Sequence, residues 1–213
     1  MFKHDINNDN RIRYTTYTAG AIESVSAKEM KNWREEIKEY ISCPDVLVYD
    51  PVEQESQKVG KPSIETVRYI SGLKQSGHYD LFYTEMWKIW FGNINFNTDL
   101  MHLLVALRMK KHIDGNRPRD LKFWGDAEAV VRSDFVIVYL PKDTKTVGTI
   151  YEIVFAFLFS IPVYLILPDV SKTDTNSSLL FGVQLSGGEV FYSIKECCDF
   201  IKNKYSLKIE EKK

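Results

Sequence analysis

Three polar side chains stand where a parallel-sheet protein usually does its chemistry. Glu152 lies in "DTKTVGTIYEIVFAF" (143–157), which begins as a polar loop and ends as an almost wholly apolar helix. Asp126 falls eight residues before Asp134, which precedes the apolar run "FVIVYL" (135–140). Tyr17 comes three residues before Gly20, at the end of "RYTTYTA". Carboxylates so placed serve as nucleophiles or proton donors, and a phenol beside them can orient a reacting group. Gly148-Thr149 adds a further property. It opens a helix directly after a loop, so free backbone N–H groups and the helix dipole make an anion-attracting end. Glu152 then falls in the first turn of that helix and Asp126 in the first turn of another, positions that acids favour on dipole grounds alone. Gly20 permits close backbone approach, and the Tyr17 hydroxyl either points into a crevice or packs.

The elements that must hold these residues read as alternating strands and helices. Continuous apolar runs bounded by Pro or Gly mark buried strands at 13–19, 46–50, 135–140 and 162–167, with a weaker fifth at 189–193. Helices are expected at 26–41, 124–132, 148–160 and 194–204. The first of these starts with Ser26 and has Glu29 three residues on, a capping box, followed by the stripe Met30, Trp33, Ile37 and Ile41. This order predicts an α/β fold: a flavodoxin-like or Rossmann-like three-layer sandwich around a mostly parallel five-stranded sheet. Residues 52–120 exceed a minimal version and read as a helical insertion in a single domain. Its first part (52–65) is loop-like, and 83–114 is aromatic with helical spacing. Those helices are either packed over the sheet, a dimer surface or a substrate lid. Ligands in such sheets bind outside the carboxyl ends of the strands. That rule selects Tyr17–Ser24 (with Gly20, Ala21, Ile22 and Ser24), Asp50–Val52, Pro141–Glu152 and Pro168–Asp174.

Composition removes several function classes. The net charge of −1 over 213 residues gives no general attraction to nucleic-acid polymers or anionic membranes. The apolar stretch 153–167 is short for a membrane span and is divided by Pro162. The polar start "MFKHDINNDNRIR" lacks a signal-peptide core, and three cysteines form no disulfide framework, so a cytoplasmic protein is expected. Four scattered histidines and the adjacent pair Cys197-Cys198 have no metal-ligand spacing. No Gly-x-Gly-x-x-Gly follows the first strand, which disfavours a nicotinamide cofactor.

Read together, "YTAGAI" (17–22), "DAEAVVRSDFVIVYL" (126–140) and "TVGTIYEIVFA" (146–156) resemble the nucleoside 2-deoxyribosyltransferase superfamily. That superfamily includes the transferases, the 2′-deoxynucleoside 5′-phosphate N-hydrolases and the cytidine-monophosphate N-glycosidases. The resemblance implies that Glu152 is the carboxylate that attacks or stabilises C1′ of the sugar. It implies that Asp126 is an acid near base and sugar, and that the Tyr17 hydroxyl positions the nucleophile. It further implies a nucleoside or nucleotide substrate, no metal or other cofactor, and a homodimer or higher homo-oligomer, with the 83–114 helices available for that contact. Cleavage of an N-glycosidic bond builds oxocarbenium character at C1′, which a neighbouring carboxylate stabilises while a second acid protonates the departing base.

Thr146, six residues before Glu152, bears on the acceptor. The transferases resembled have an acid there, whereas the nucleotide hydrolases have a small hydroxyl residue that helps hold the 5′-phosphate. With Gly148, Thr149, Ser24, Ser26, Lys142 and Lys145, Thr146 outlines a phosphate cradle. Glu23 departs from the hydrolase pattern, which has a basic residue at that place. The expectation is a nucleoside 5′-monophosphate N-hydrolase that releases free base. The alternatives are a base-exchanging deoxyribosyltransferase and a non-catalytic nucleotide sensor. Asp50 is expected among the substrate ligands, and Trp87, Trp90, Phe91 and Trp124 among the pocket walls.

Overall fold

A computed structural model describes residues 13–22, 26–41, 43–54, 63–92, 99–114, 125–144 and 146–207. Five strands, β1 (Tyr14–Gly20), β2 (Val46–Tyr49), β3 (Phe135–Tyr139), β4 (Val163–Ile166) and β5 (Glu189–Phe191), form one sheet in the order β2-β1-β3-β4-β5. Every pairing is parallel. This is the flavodoxin-like order, and its topological switch point lies between β1 and β3. β4 is buried throughout and β1 from its second residue onward, so their continuous apolar or threonine-rich runs follow from burial on both faces.

The side chains of β3 and β4 divide the core by simple alternation. Val136, Val138, Val163 and Leu165 point to one face, where α5 (Asp126–Arg132), α6 (Val147–Leu158) and α7 (Ser177–Leu185) pack. Phe135, Ile137, Tyr164 and Ile166 point to the other, beneath α1 (Ala27–Ile41) and α8 (Ile194–Tyr205). Trp33, Ile37 and Ile41 of the expected α1 stripe are buried there. The capping box forms as well. The Ser26 N–H donates to Glu29 Oε2 at 2.8 Å, and the Glu29 N–H donates to Ser26 Oγ at 3.2 Å.

The insertion contributes α2 (Ser63–Gln75), α3 (Tyr79–Phe91) and α4 (Leu100–Asp114). Leu104 of α4 packs on Ala127 and Val131 of α5, with Trp90 and Phe91 of α3 and Phe155 of α6 against the same cluster. Arg108 of α4 donates to the carbonyls of Val131 and Ser133 at 3.1 and 3.0 Å, placing a cation at the carboxyl end of α5. Through these contacts α3 and α4 pack against α5 and α6, while Tyr79, Leu81, Tyr83, Met101, Val105 and Met109 of the same two helices remain exposed. Two elements differ from the sequence expectation. Helix α2 begins at Ser63, inside the stretch read as loop-like, and α7 has no counterpart in that reading. α7 is short and its signal is local: Asn176 Oδ1 accepts from the N–H groups of Ser178 and Leu179.

A third difference concerns the site. Helix α6 starts at Val147, with Thr146 as its N-cap accepting from the Thr149 N–H at 3.3 Å. Glu152 therefore lies in the second turn rather than the first, and no acid occupies the first turn. The favourable effect of a dipole on an acid fades beyond the first turn, so dipole complementation does not account for this carboxylate.

Candidate active site

The chain leaves β1 toward α1 on one face and β3 toward α6 on the other, which opens a crevice between the two strand ends. A cleft of about 650 Å³ occupies it. Gly20 and Ile22 form its β1 side, Thr146, Gly148, Thr149 and Glu152 its α6 side, and Asp126 contributes from the start of α5. These seven expected site residues, drawn from three separate segments, meet in one cavity.

Beneath the cleft, Tyr17 is wholly buried and its hydroxyl donates to Glu152 Oε1 at 2.5 Å. Its ring stacks on Tyr49, with centroids 5.4 Å apart, so the phenol is clamped while its oxygen reaches upward. Packing and positioning are thus one arrangement. Burial raises the Tyr17 pKa well above its ordinary value, and the nearby Asp126 and Glu152 carboxylates raise it further. The phenol therefore stays a proton donor at any physiological pH. Asp126 and Glu152 are both more than nine-tenths buried, although each opens onto the cleft. Two carboxylates that open onto one cleft, one of them bonded from beneath by a neutral phenol, supply the group types that acid and nucleophilic chemistry use.

Local packing explains how these side chains are held. A Cβ on Gly125 would lie 2.3 Å from the Trp90 carbonyl oxygen, so glycine lets the end of α3 close onto the start of α5, directly beside Asp126. A Cβ on Gly20 would lie 2.5 Å from the Trp33 indole and 3.0 Å from the Tyr139 carbonyl oxygen. The close approach that Gly20 permits is thus made by α1 and β3. Thr146 and Thr149 share a hydroxyl–hydroxyl hydrogen bond at the mouth of α6, with the exposed Val147 and Gly148 backbone between them.

Other expected residues stand elsewhere. Asp50 is buried and does not line the cleft. It lies 3.4 Å from Arg34 Nε and 2.7 Å from Lys38 Nζ, and it accepts from the Val52 N–H at 3.0 Å. Arg34, fully buried, in turn donates to the Gly20 carbonyl at 3.1 Å. Asp50 thus reaches the cleft only through the arginine that holds the end of β1. Burial opposes the Lys38 charge, but the Asp50 and Glu53 carboxylates outweigh it and hold the ammonium above its ordinary pKa. Ala21 is buried beside the cleft without lining it. The Ser26 hydroxyl is engaged in its own helix cap. Ser24, Glu23, Lys145 and Trp124 lie outside the described residues. Trp90 and Phe91 line the cleft as expected, whereas Trp87 does not.

Sequence reasoning missed the other wall. Thr66, Val67, Ile70 and Lys74 of α2, with Phe82, Met86 and Ile89 of α3, form it, and Val147, Tyr151 and Phe155 of α6 complete the lining. Their spacings, 66/70/74 and 82/86/89/90, are helical stripes, but a stripe by itself does not say whether it faces core or cavity. Among the described residues, no helix is long and apolar enough to cross a membrane.

No protein-family model matches the chain, and no curated protein matches it. Among solved structures it is similar to a conserved protein from Enterococcus faecalis V583, at 16% identity and a TM-score of 0.48, over 90% of this chain and 98% of that one.

Proposed function

We propose that the protein is an N-glycosidase of the nucleoside 2-deoxyribosyltransferase kind, acting on nucleoside 5′-monophosphates and releasing free base to water. The observation that carries this reading is the buried Tyr17–Glu152 hydrogen bond at 2.5 Å, placed at the switch point with Asp126 opening onto the same cleft. The Tyr17 hydroxyl fixes the Glu152 carboxylate that meets C1′. As the C1′–N bond breaks, its electron pair stays with the base, and Asp126 in its acid form delivers a proton to the base. Glu152 takes the electron-poor C1′ as an ester or a close ion pair. Water then attacks C1′, returns a proton to Asp126 and frees Glu152, so the products are the free base and the sugar phosphate.

The phosphate is assigned to the mouth of α6. Gly148 and Thr149 line the cleft there, and the helix dipole with the first-turn N–H groups other than that of Thr149, which Thr146 caps, favours an anion. The test is direct: incubate the protein with nucleosides and nucleoside monophosphates, with and without a second free base, and assay released base. Release from monophosphates alone supports the hydrolase, and exchange only with a second base supports the transferase. Binding without turnover supports the sensor and overturns the catalytic assignment.

The same reading includes a homodimer. Val147, Ile150, Tyr151, Val154 and Leu158 make an exposed apolar stripe along α6, extended by Phe181 and Leu185 of the adjoining α7. Contiguous exposed apolar patches of this kind mark interaction surfaces. Val147 and Tyr151 belong also to the cleft lining, so a second copy seated on this face would border the substrate.

A further inference from the structure

The β1 edge of the cleft is held by residues that do not line it. Gly20 and Ile22 face the cavity, whereas Trp33, Arg34 and Asp50 stand outside it. Strand β2 pairs with β1 only as far as Tyr17 opposite Tyr49 and then ends, three residues short of Gly20. The Arg34 guanidinium takes over from there. Its Nη2 donates to the Gly20 carbonyl at 3.1 Å, while its Nε lies 3.4 Å from Asp50, the first residue after β2. One planar fork thus ties the ends of both strands. The neighbouring Trp33 completes the clamp. Its indole fills the space a Gly20 side chain would need, stacks on Tyr139 of β3 with centroids 5.1 Å apart, and has its ring centroid 4.1 Å from the Arg34 guanidinium carbon.

Stability alone gives little reason for this device. Arg34 and Asp50 are both buried, and the loss of water around two such charges offsets most of their attraction. Apolar side chains of similar volume are often as stable in such a place or more so. What an apolar pair cannot do is donate to the Gly20 carbonyl. That bond fixes the peptide leaving β1, and with it the position of Gly20 and Ile22 across the cleft from Gly148, Thr149 and Glu152.

The geometry points to Arg34 as a positioning residue: it sets the β1 edge of the cleft, and so substrate affinity, without touching what the cleft holds. This rests on the N-glycosidase reading of the same site and adds to it a residue beneath α1 on which binding depends. Tyr17, three residues earlier in β1, is held separately by its stack on Tyr49 and its bond to Glu152. The reacting groups therefore keep their arrangement when Arg34 is lost, and the loss falls on KM rather than kcat.

The test compares the wild type with two variants. Arg34→Met/Asp50→Leu removes both buried charges together, so neither is left unpaired by the other's loss. Arg34→Lys keeps a charge opposite Asp50 but not the fork that meets carbonyl and carboxylate with separate nitrogens. Base release is measured on the four common 2′-deoxynucleoside 5′-monophosphates, with denaturant titration and amide hydrogen exchange alongside. The expected result is a KM raised about tenfold or more in the double variant and about threefold or more in Arg34→Lys, each with kcat within about threefold of the wild type. Exchange at residues 20–22 should quicken about tenfold in the double variant while β3 is unchanged. An unchanged KM in both variants overturns the inference. So does a lower apparent kcat at unchanged KM, which is what a smaller folded fraction produces. If the double variant does not fold, the KM of Arg34→Lys decides by the same criterion. A wild type that releases no base from any of the four compounds marks failure of the glycosidase reading instead. Exchange then decides on Arg34: unchanged protection at residues 20–22 overturns its positioning role, and selective loss there supports it.

Discussion

The Tyr17–Glu152 bond makes a prediction that separates positioning from catalysis. Tyr17→Phe deletes one hydroxyl and keeps the ring that stacks on Tyr49. What is lost is a donor, at 2.5 Å, to a carboxylate that is itself buried. A hydrogen bond to a charged group contributes about 1.5–3 kcal/mol. If that amount orients Glu152 in the transition state, kcat falls about 10- to 150-fold at 1.4 kcal/mol per decade. The same missing donor lowers folding stability by about 1–3 kcal/mol, readable by denaturant titration even without substrate. Glu152→Gln is isosteric and still accepts from Tyr17, yet it removes the nucleophile, so kcat falls by about a thousandfold or more. The double variant decides the mechanism. If Tyr17 acts through Glu152, adding Tyr17→Phe to Glu152→Gln costs nothing further in base-release rate. Equal losses in both backgrounds would refute the positioning role, and a Glu152→Gln enzyme within tenfold of the wild type would refute the site itself.

Four further outcomes follow from the structure. Asp50→Asn leaves Arg34 buried opposite a neutral partner and is expected to cost about 3–5 kcal/mol in a denaturant melt; a loss under 1 kcal/mol would show that the Asp50 charge is not needed to hold the guanidinium. Thr16 is fully buried on β1 and its hydroxyl has no hydrogen-bond partner among the described residues, so Thr16→Val should stabilise by about 1 kcal/mol, a rise of about 2–4 °C in Tm. Burial pushes the Cys198 thiol from 9.0 up to about 12. The folded chain then keeps a proton that the unfolded chain releases, so stability is intact below pH 9 and falls by a few kcal/mol as pH rises toward about 12. Cys198→Ala should flatten that slope in alkaline unfolding curves, and an unchanged slope would reassign the effect to other groups. Val154→Glu places a charge in the middle of the exposed α6 stripe; sedimentation should show a dimer for the wild type and a monomer for the variant, and a monomeric wild type would remove the proposed interface.

Much of the scaffold was legible because its signals are local. Pro- and Gly-bounded apolar runs identify the buried strands, and Ser26 with Glu29 identifies the start of α1. The crossover order then leaves few sheet topologies. The candidate site was legible where a short motif carries its own geometry: a tyrosine within β1, an acid opening α5, and a carboxylate in the helix after β3. Thr146 was legible as a hydroxyl but not as a helix cap, because capping depends on where the backbone turns. Shifting the start of α6 to Val147 moved Glu152 from the first turn to the second and removed the simplest structural explanation for its charge. Asp50 looked like a site residue because it follows a strand. Its partners, Arg34 and Lys38, sit on a neighbouring helix, and nothing in the sequence pairs them.

Residue type and order alone determined the alternating architecture, the expectation of a parallel sheet and the three candidate side chains, since each is read from patterns among near neighbours along the chain and from the order of the elements. Only the tertiary structure decided that Tyr17 reaches Glu152 across 135 positions of sequence. It alone set the strand order that opens a crevice between β1 and β3, and turned the inner faces of α2 and α3 toward that crevice. A helical stripe reads the same whether it meets a core or a cavity. The difference lies in what the rest of the fold leaves opposite it, and along α2 and α3 the fold leaves space.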